Sequence, residues 1–390
     1  MTAHEIAAEP PVGSYLAQLL DGSGDTPDSC FDVVRLLPEQ GMRRCGFLFR
    51  DPADPVLATF APLFDDPGFR RYTVGALTVC RLREVCLLGT DAVLTYGGRV
   101  LCDTLYHITH WAPGSVVAEY RQAEYLRLRS PLRVSRVVLG DCLIGFTASW
   151  RNYAHWMQES LPKLFLFRQW RQERPGLRLV LPAFARHSFQ QQTLDLLGIG
   201  PEAVEPVADG EVLAFASVSV IGNVDLWGVP PLCHAAARDL ASAAEVVVPL
   251  GVLGPERLYI HRAAPPRQVV NASEVRACVE RHGFAWTSFE GMRLAEQIAT
   301  VRGARLVIGE HGAGLVNLLF CPPGARILEL FNPACVQPAF WSLASACGSG
   351  FGYMVGHHVP RPDQPAPGWN TDYAVPVERL EEAIATLVAG

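Results

Sequence analysis

The chain has 390 residues, of which 49% are hydrophobic and 18% charged, and its formal net charge is −6 with a pI of about 6.0. This composition allows a large core spread over two or three domains and excludes intrinsic disorder. No basic block of the kind that nucleic-acid-binding proteins carry is present, so we expect no nucleic-acid partner. We also expect no signal peptide and no transmembrane helix, because Met1–Pro11 lacks the basic and apolar regions of a leader and no run of 18 apolar residues occurs.

The 11 cysteines indicate reduced thiols in a cytoplasmic protein. Their number is odd and no C-x-x-C pair occurs, which argues against a disulfide framework or a structural zinc site. The basic residues are nearly all arginine, since Lys163 is the only lysine among the 33 Lys+Arg. Together with the abundance of alanine and glycine, this bias points to a GC-rich bacterial genome.

The first 140 residues predict a loosely attached lead-in followed by a β-rich segment. Residues 1–30 contain one short helix candidate, Tyr15–Leu20, before a stretch rich in Gly, Asp, Ser and Pro. Short β-rich runs then follow, separated by glycine and aspartate. These runs are Tyr72–Cys80, Glu84–Leu88, Ala92–Leu101 and Arg133–Leu139.

From residue 141 the strand-like and helix-like segments alternate, which predicts βαβ units on a parallel sheet. The predicted helices are Asn152–Trp170, Ser188–Leu197 and His234–Ala243, and the predicted strands are Leu177–Leu181 and Val212–Val220. Prolines and glycines spaced through Glu245–Pro255 indicate the approach to a linker between domains.

A second alternating series predicts a second parallel α/β domain. Its predicted strands are Arg257–His261, Phe284–Thr287, Arg305–Ile308 and Arg326–Leu330, and its predicted helices are Asn271–His282, Leu294–Val301, Gly312–Phe320 and Val377–Val388. Asn271 followed by Glu274 has the form of a capping box. The proline-rich segment Val359–Trp369 predicts a surface loop.

A glycine-rich turn at residues 309–314 is the first candidate site. It follows a strand and opens a helix, and helix N-termini bind anions through their free N–H groups. Glycine lets the backbone approach a ligand closely, and ligands of open α/β sheets lie beyond the carboxyl ends of the strands. These features predict an anion near Gly312, Ala313 and Gly314, with His311 beside it. A turn whose glycines serve packing alone is the alternative.

Three charged residues at the same sheet edge strengthen the anion interpretation. Arg262 and Arg267 follow a neighbouring strand, and arginine binds phosphate oxygens through two parallel hydrogen bonds. Glu329 ends the next strand, where a carboxylate can accept both hydroxyls of a ribose. Solvated loop arginines and a strand-end salt bridge are the alternatives.

The helix candidate after residue 152 carries the second candidate site. Its apolar residues recur at helical spacing and predict a buried stripe of Tyr153, Trp156, Met157, Leu161, Leu164 and Phe165. His155 and Glu159 are four residues apart on a different face, where such a pair can hold a hydroxyl and take its proton. A solvated ion pair is the alternative. Pro162 is expected to kink or end this helix.

Three ordered motifs resemble glycosyltransferase family 61. They are N-Y-A-H-W-M-Q-E-S-L-P-K at 152–163, R-A-A-P-P-R at 262–267, and H-G-A-G-L-V-N-L-L-F-C-P-P-G-A-R-I-L-E-L at 311–330. The resemblance covers about residues 140–335. That family includes bacterial proteins of capsular polysaccharide biosynthesis, plant xylosyltransferases and animal enzymes that add N-acetylglucosamine to proteins. The bacterial capsular type is the member we expect here.

The resemblance implies a GT-B fold, in which two Rossmann-like parallel α/β domains face a cleft, here preceded by the β-rich lead-in. It also implies an inverting transfer that needs no metal. On this basis residues 1–30 are a lead-in, 31–245 an N-terminal acceptor-side domain, 256–376 a C-terminal nucleotide-sugar-binding domain and 377–390 a terminal helix.

The family's site residues transfer onto matching positions of this sequence. The expected donor-binding residues are Asn152, Arg262, Arg267, His311, Gly312, Ala313, Gly314, Asn317 and Glu329. The expected catalytic pair is Glu159 as the general base, with His155 orienting it or serving instead. Glu310 stands where relatives more often have a small or neutral residue, which leaves a local salt bridge or a cleft carboxylate as its role.

We expect no cofactor beyond the nucleotide-sugar co-substrate, with UDP as the default nucleotide. No catalytic metal is expected, because no D-x-D triplet occurs and the pairs His107/His110 and His357/His358 lack partners at zinc-like spacing. The expected partners are the nucleotide-sugar donor and a glycan, lipid-linked or protein acceptor. Peripheral membrane association stays open.

Three other functions compete with the transferase. A non-catalytic sugar-nucleotide-binding protein would keep the same fold. An esterase-like hydrolase could use H-G-A-G as an oxyanion turn, but it needs a G-x-S-x-G elbow that is absent from the sequence. A dinucleotide-dependent oxidoreductase has only the late G-x-G-x-G at Gly348–Gly352 in its favour.

Overall fold

The structure is a computed structural model that describes residues 6–9, 31–37, 40–50, 71–74, 77–96, 99–100, 125–128, 132–222, 231–248 and 254–389. The chain divides into two compact units, the first formed by Met1–Glu39 and Gly75–Val224 and the second by Gln40–Val74 and Asp225–Gly390. The predicted helix Tyr15–Leu20 and the pair His107/His110 lie outside the described residues.

The described strands are, in chain order, β1 (Ile6–Glu9), β2 (Phe31–Leu37), β3 (Gln40–Arg43), β4 (Phe47–Arg50), β5 (Arg71–Val74), β6 (Leu77–Leu82), β7 (Val85–Leu88), β8 (Val93–Tyr96), β9 (Arg99–Val100), β10 (Tyr125–Leu128), β11 (Arg136–Ile144), β12 (Arg178–Pro182), β13 (Val204–Val207), β14 (Val212–Gly222), β15 (Arg257–His261), β16 (Ala285–Ser288), β17 (Leu306–Glu310), β18 (Arg326–Phe331), β19 (Gly350–Val355), β20 (His357–His358) and β21 (Tyr373–Ala374). The described α-helices are α1 (Tyr153–His155), α2 (Leu161–Glu173), α3 (Phe189–Leu196), α4 (Pro231–Val247), α5 (Ala272–Arg281), α6 (Leu294–Arg302), α7 (Ala339–Ala346) and α8 (Val377–Ala389).

The first unit is built on a mixed sheet. Its second half is parallel, because β11 pairs with β12 and β14, and β12 pairs with β13, all in the same direction. The β-rich N-terminal segment supplies the antiparallel half, with β6 and β7 both pairing with β14 and the series β7–β8–β9–β10–β1 continuing outward. The sequence therefore predicted the parallel βαβ part correctly, and the preceding strands extend the same sheet.

The helix that carries His155 is continuous from Tyr153 to Glu173, so Pro162 does not end it. A π-helical turn, Trp156–Ser160, precedes the proline, and the Leu161 N–H bonds to Trp156 O five residues back. A proline ring clashes with the carbonyl four residues earlier and offers no N–H, and the wider π turn moves the backbone away from that clash. The effect that we predicted for Pro162 is therefore a local π-helical distortion and not the end of the helix.

The second unit has a parallel sheet in the order β16-β15-β17-β18-β19-β4. Both units thus confirm the α/β class with parallel strands, whereas the GT-B arrangement and the domain boundaries stay predictions. Helices α5 and α8 cover one face of this sheet, and their apolar side chains share one core with those of the strands. Buried members of that core are Tyr259, Val275, Val279, Ile308, Leu328, Leu330, Leu380, Ile384 and Leu387.

Two local predictions in the second unit are wrong. Ala313–Phe320 forms a 3-10 helix rather than an α-helix. Asn271 stands at the start of α5, but its side chain makes no bond to the helix backbone. Instead, its amide bonds to both the N–H and the C=O of Val375, which ties the start of α5 to the segment before α8. Among the described residues, no helix combines the length and apolar character needed to cross a bilayer.

Candidate functional site

His155 and Glu159 form a buried pair in the first unit, so the solvated alternative is wrong. His155 is 2% exposed and Glu159 is 0% exposed. The two side chains meet at 2.7 Å between His155 Nδ1 and Glu159 Oε1, and Thr147 Oγ1 donates to Glu159 Oε2 at 2.8 Å. Thr147 lies just beyond the carboxyl end of β11, the edge where α/β proteins place ligands. The carboxylate is therefore held at both oxygens.

Lys163 adds a third buried ionisable group to the same helix. Its Nζ donates to Phe146 O at 3.2 Å, and the side chain is almost fully enclosed. Burial lowers the pKa of Lys163 to about 8, and the Glu159 carboxylate partly opposes that shift. Buried charges of this kind cost stability unless they are paired, so their clustering is a physical reason to expect a functional site.

Asn152 lies in the first unit and acts as the cap of the helix. Its Oδ1 accepts the Ala154 N–H at 2.9 Å, and the residue is exposed. The donor-binding role expected for Asn152 stays a prediction. The other expected donor-binding residues belong to the second unit.

Arg262 lies directly over the glycine turn of the second unit. A Cβ at position 312 would stand 2.5 Å from Arg262 Nη1, so the guanidinium uses the space that glycine leaves. Arg262 Nε also donates to Pro266 O at 2.8 Å. Burial lowers the pKa of Arg262, and the neighbouring charge of Arg267 lowers it further. Two guanidiniums therefore converge beside the turn.

Arg267 is held in an unusual environment for a cation. Its backbone φ is +69°, a left-handed conformation that costs a non-glycine residue about 1–3 kcal/mol. Its Nη1 donates to Cys335 Sγ at 3.0 Å, which is a weak acceptor, and its Nε is buried without a hydrogen-bond partner among the described residues. Among the described residues, much of the hydrogen-bonding capacity of the Arg267 guanidinium is therefore unused.

His311 and Glu329 form a buried pair next to the two arginines. His311 Nδ1 lies 2.5 Å from Glu329 Oε1, and the Gln337 side-chain amide lies 3.1 Å from the other ring nitrogen, Nε2. Burial, together with Arg267 and Arg262, lowers the pKa of His311 to about 3. Burial raises the pKa of Glu329 well above its usual range. Burial therefore disfavours the charged form of both side chains, and the two arginines supply positive charge next to them.

The 3-10 helix after the turn is packed more tightly than an open ligand loop. Ala313 and Gly314 begin it, and Asn317 within it is fully buried with its amide donating to Gln297 Oε1 at 3.1 Å. Glu329 is also fully buried, and its Oε2 has no partner in the described part of the chain. The ribose role of Glu329 and the donor-binding role of Asn317 stay predictions.

Glu310 forms a local hydrogen-bonded cluster, one of the two roles that the sequence left open. Its Oε1 bonds to Tyr259 Oη at 3.0 Å and to His261 Nδ1 at 2.8 Å, and its Oε2 accepts the Arg262 backbone N–H at 3.1 Å. Because it is 2% exposed, this carboxylate fixes the end of β15 against the end of β17. The Glu310 carboxylate therefore positions the backbone of Arg262, from which the guanidinium extends to the glycine turn.

Several site residues were missed from the sequence. The predicted strand Arg133–Leu139 ends eight residues before Thr147, whereas β11 extends to Ile144 and brings Thr147 close to its carboxyl end. Cys335 and Gln337 lie in the segment between β18 and α7, and no pattern connects them with position 267 or 311. Only the fold brings them there.

Comparison with known proteins shows which family this segment resembles. Residues 153–328 match the profile of a family described as Glycosyltransferase 61. The chain is 39% identical over 83 residues to an EGF domain-specific O-linked N-acetylglucosamine transferase of Drosophila melanogaster, covering 20% of this chain and 16% of that protein. It is 27% identical over 146 residues to protein O-linked-mannose beta-1,4-N-acetylglucosaminyltransferase 2 of Bos taurus, covering 34% of this chain and 24% of that protein.

The chain spans no more than a quarter of the length of these two relatives. Both are animal proteins, so the bacterial capsular type that we expected stays a prediction. The matched segment lies inside the region where the three motifs pointed, and it contains His155, Glu159, Arg262, Arg267 and His311. Residues 153–328 therefore match glycosyltransferase family 61, and the two relatives are named as glycosyltransferases.

Proposed function

We propose that this protein is an inverting, metal-independent glycosyltransferase that moves a sugar from a nucleotide donor to a hydroxyl group of an acceptor. The observation that carries the proposal is the convergence of Arg262 and Arg267 beside the Gly312 turn, inside a segment that matches a transferase family. The charge of Arg267 lowers the pKa of Arg262, and an anion bound between the two guanidiniums would offset this repulsion. A diphosphate supplies that anion.

The donor phosphates would bind the side chains and N–H groups around the turn. Arg267 offers unused donors, and His311, being neutral, adds a hydrogen-bonding ring without further positive charge. During transfer the sugar–phosphate bond breaks and negative charge builds up on the leaving diphosphate. The two arginines would stabilise that charge, which is the largest single contribution in many enzymes. UDP is the nucleotide that we propose first.

The His155–Glu159 pair would supply the general base. Because Glu159 is fully enclosed and both of its oxygens are hydrogen-bonded, we assign it the task of orienting the ring and stabilising its charge. His155 then takes the acceptor proton through Nε2, the ring nitrogen opposite the one that faces Glu159. General bases of this kind typically contribute about 10²–10⁴ in rate.

The acceptor and the sugar are proposed from the relatives' names. The names of both relatives give N-acetylglucosamine as the transferred sugar, so UDP-N-acetylglucosamine is the first donor to assay. A glycan, a lipid-linked sugar or a protein side chain can present the hydroxyl. We further propose a cytoplasmic enzyme of bacterial polysaccharide biosynthesis, acting without a cofactor and able to associate with a membrane surface.

Nucleotide binding and turnover test the proposal separately. Purified protein is screened by thermal shift against UDP, GDP, CMP, dTDP and NAD, with and without EDTA. A nucleotide at a hundredfold excess over its dissociation constant stabilises the native state by about 2.7 kcal/mol. We expect an EDTA-insensitive shift with UDP that is lost in Arg267→Ala and kept in Arg293→Ala, whose side chain is 77% exposed. A shift with NAD alone would refute the donor assignment.

Turnover distinguishes the enzyme from a binding protein. Sugar release from UDP-sugars is measured in the wild type, in His155→Ala and in Glu159→Gln. We expect both variants to lose about 10²–10⁴ in turnover while nucleotide binding survives. Full turnover in both variants would remove this pair from the mechanism, and nucleotide binding without turnover in the wild type toward any donor and acceptor would favour the non-catalytic alternative.

A further inference from the structure

A group of three metal-ligating side chains lies on the second unit, on the helix pair α5 and α8. Cys278 and His282 are four residues apart at the end of α5, and Glu381 projects from α8. One ligand atom from each residue, a sulfur, a ring nitrogen and a carboxylate oxygen, lies within 4.8 Å of the other two. Since 103 residues separate Cys278 from Glu381, the spacing rules applied to the sequence could not detect this group.

The distances fit a small divalent ion. Cys278 Sγ lies 3.9 Å from Glu381 Oε1. Two ligands of a tetrahedral zinc ion, with bonds of about 2.3 Å to sulfur and about 2.0 Å to oxygen, stand roughly 3.5 Å apart. A shift of a few tenths of an ångström in the flexible Glu381 side chain closes that gap. The combination of thiolate, imidazole and carboxylate favours zinc over magnesium or calcium.

The end of helix α5 favours a cation at this point. Cys278 lies in the last turn and His282 is the residue that caps it, at the end of the helix where the helix dipole places a partial negative charge. The chain already places one positive charge here, because the Arg281 guanidinium forms an ion pair with Glu381. The helix dipole and the Glu381 carboxylate therefore both favour a cation at this point.

Arg281 is a weak competitor for the carboxylate. Its side chain is 59% exposed and that of Glu381 is 44% exposed, and solvent-exposed ion pairs of this kind add little to stability. A metal–carboxylate bond is stronger than that, and Glu381 has two oxygens. Burial and Glu381 together raise the pKa of the Cys278 thiol, so the ion must displace a proton when it binds.

We propose that Cys278, His282 and Glu381 bind one zinc ion, with a water molecule as the fourth ligand. The ion would fasten the C-terminal helix α8 to α5 and would stabilise the second unit without taking part in sugar transfer. The proposal does not depend on the proposed function, and it concerns a site away from the glycine turn.

The test uses the full-length protein after treatment with a chelator. Cobalt(II) replaces zinc as the probe, because a cobalt–thiolate bond produces an intense near-ultraviolet absorption that nitrogen and oxygen ligands do not. We expect one equivalent of cobalt with this absorption, its displacement by zinc, and an increase in melting temperature with zinc. Cys278→Ser should abolish the absorption, and Cys347→Ser, which changes a thiol outside the group, should retain it.

Two variants at partly exposed positions cover the case in which Cys278→Ser does not fold. Glu381→Gln and His282→Gln should each lower the affinity for zinc at least about tenfold. Arg281→Ala should raise it, because the carboxylate loses its competitor. Cobalt binding without the thiolate absorption would overturn the proposal, as would wild-type affinity in both Glu381→Gln and His282→Gln.

Discussion

Replacing Lys163 by methionine tests how the first unit tolerates a buried charge. Methionine has nearly the same length and needs no hydrogen bonds, so it fits the space with little repacking. The pKa of Lys163 falls from 10.5 to about 8 on folding, which corresponds to about 3 kcal/mol of destabilisation when the amine is charged at pH 7. Lys163→Met removes this destabilisation, but it also leaves Phe146 O without its hydrogen-bond donor, at a cost of about 1–3 kcal/mol.

These two effects nearly cancel at pH 7, so the pH dependence is the informative quantity. Between pH 8 and 10.5 the unfolded chain binds more protons at Lys163 than the folded chain does, so this residue makes stability rise with pH. We expect the free energy of unfolding of the wild type, measured relative to Lys163→Met, to increase by roughly 2–3 kcal/mol between pH 7 and pH 10. Urea unfolding at several pH values gives this difference directly.

A second measurement uses the fact that the chain has one lysine. In protein labelled with isotopic lysine, NMR shows a single side-chain amine, and its chemical shift should titrate near pH 8. Parallel stability profiles of the wild type and Lys163→Met would refute the reasoning. So would an amine that titrates at the ordinary value of 10.5.

Two further variants test how Arg262 is held at the turn. Glu310→Ala removes the acceptor of the Arg262 N–H, so it should weaken UDP binding about tenfold and lower stability by about 1–3 kcal/mol. Glu296→Ala, at a partly exposed position, should leave UDP binding unchanged in calorimetry. Gly312→Ala should displace the guanidinium and weaken UDP binding with little change in melting temperature. Gly314→Ala, whose Cβ would meet its nearest neighbour at 3.5 Å, should bind UDP normally. An equal loss of UDP affinity in Gly312→Ala and Gly314→Ala would contradict the position of Arg262 over Gly312.

Local patterns predicted the elements of both units well, because apolar periodicity depends on neighbours close in sequence. The strands β15, β17 and β18 lie where the apolar runs predicted them, and the turn between β17 and the 3-10 helix was identified from its glycines. The convergence of both arginines on this turn followed from the rule that parallel strands share a carboxyl edge.

Burial of polar side chains was not predictable from the same patterns. His155 and Glu159 would have the same spacing in a solvated pair and in a buried pair. Whether the pair is buried depends on the residues that pack over it in the fold. Glu310 is similar, because Tyr259 and His261 of β15 and the N–H of Arg262 just after it bond to this carboxylate. All three lie about fifty residues away in the chain. Long-range contacts of this kind follow from the fold alone.

Strand β4 makes the second unit discontinuous in the chain. It pairs with β19 at the sheet edge, and the rings of Phe47 and Trp341 pack with their centroids 4.4 Å apart. A Cβ at Gly352 would collide with Phe49. A fragment that begins at residue 225 would therefore expose the backbone edge of β19, and exposed edges promote aggregation. During synthesis β4 leaves the ribosome some three hundred residues before its partner, so this unit can close only when translation is nearly complete. Any exchange of domains with a relative must carry residues 40–74 along with the C-terminal half.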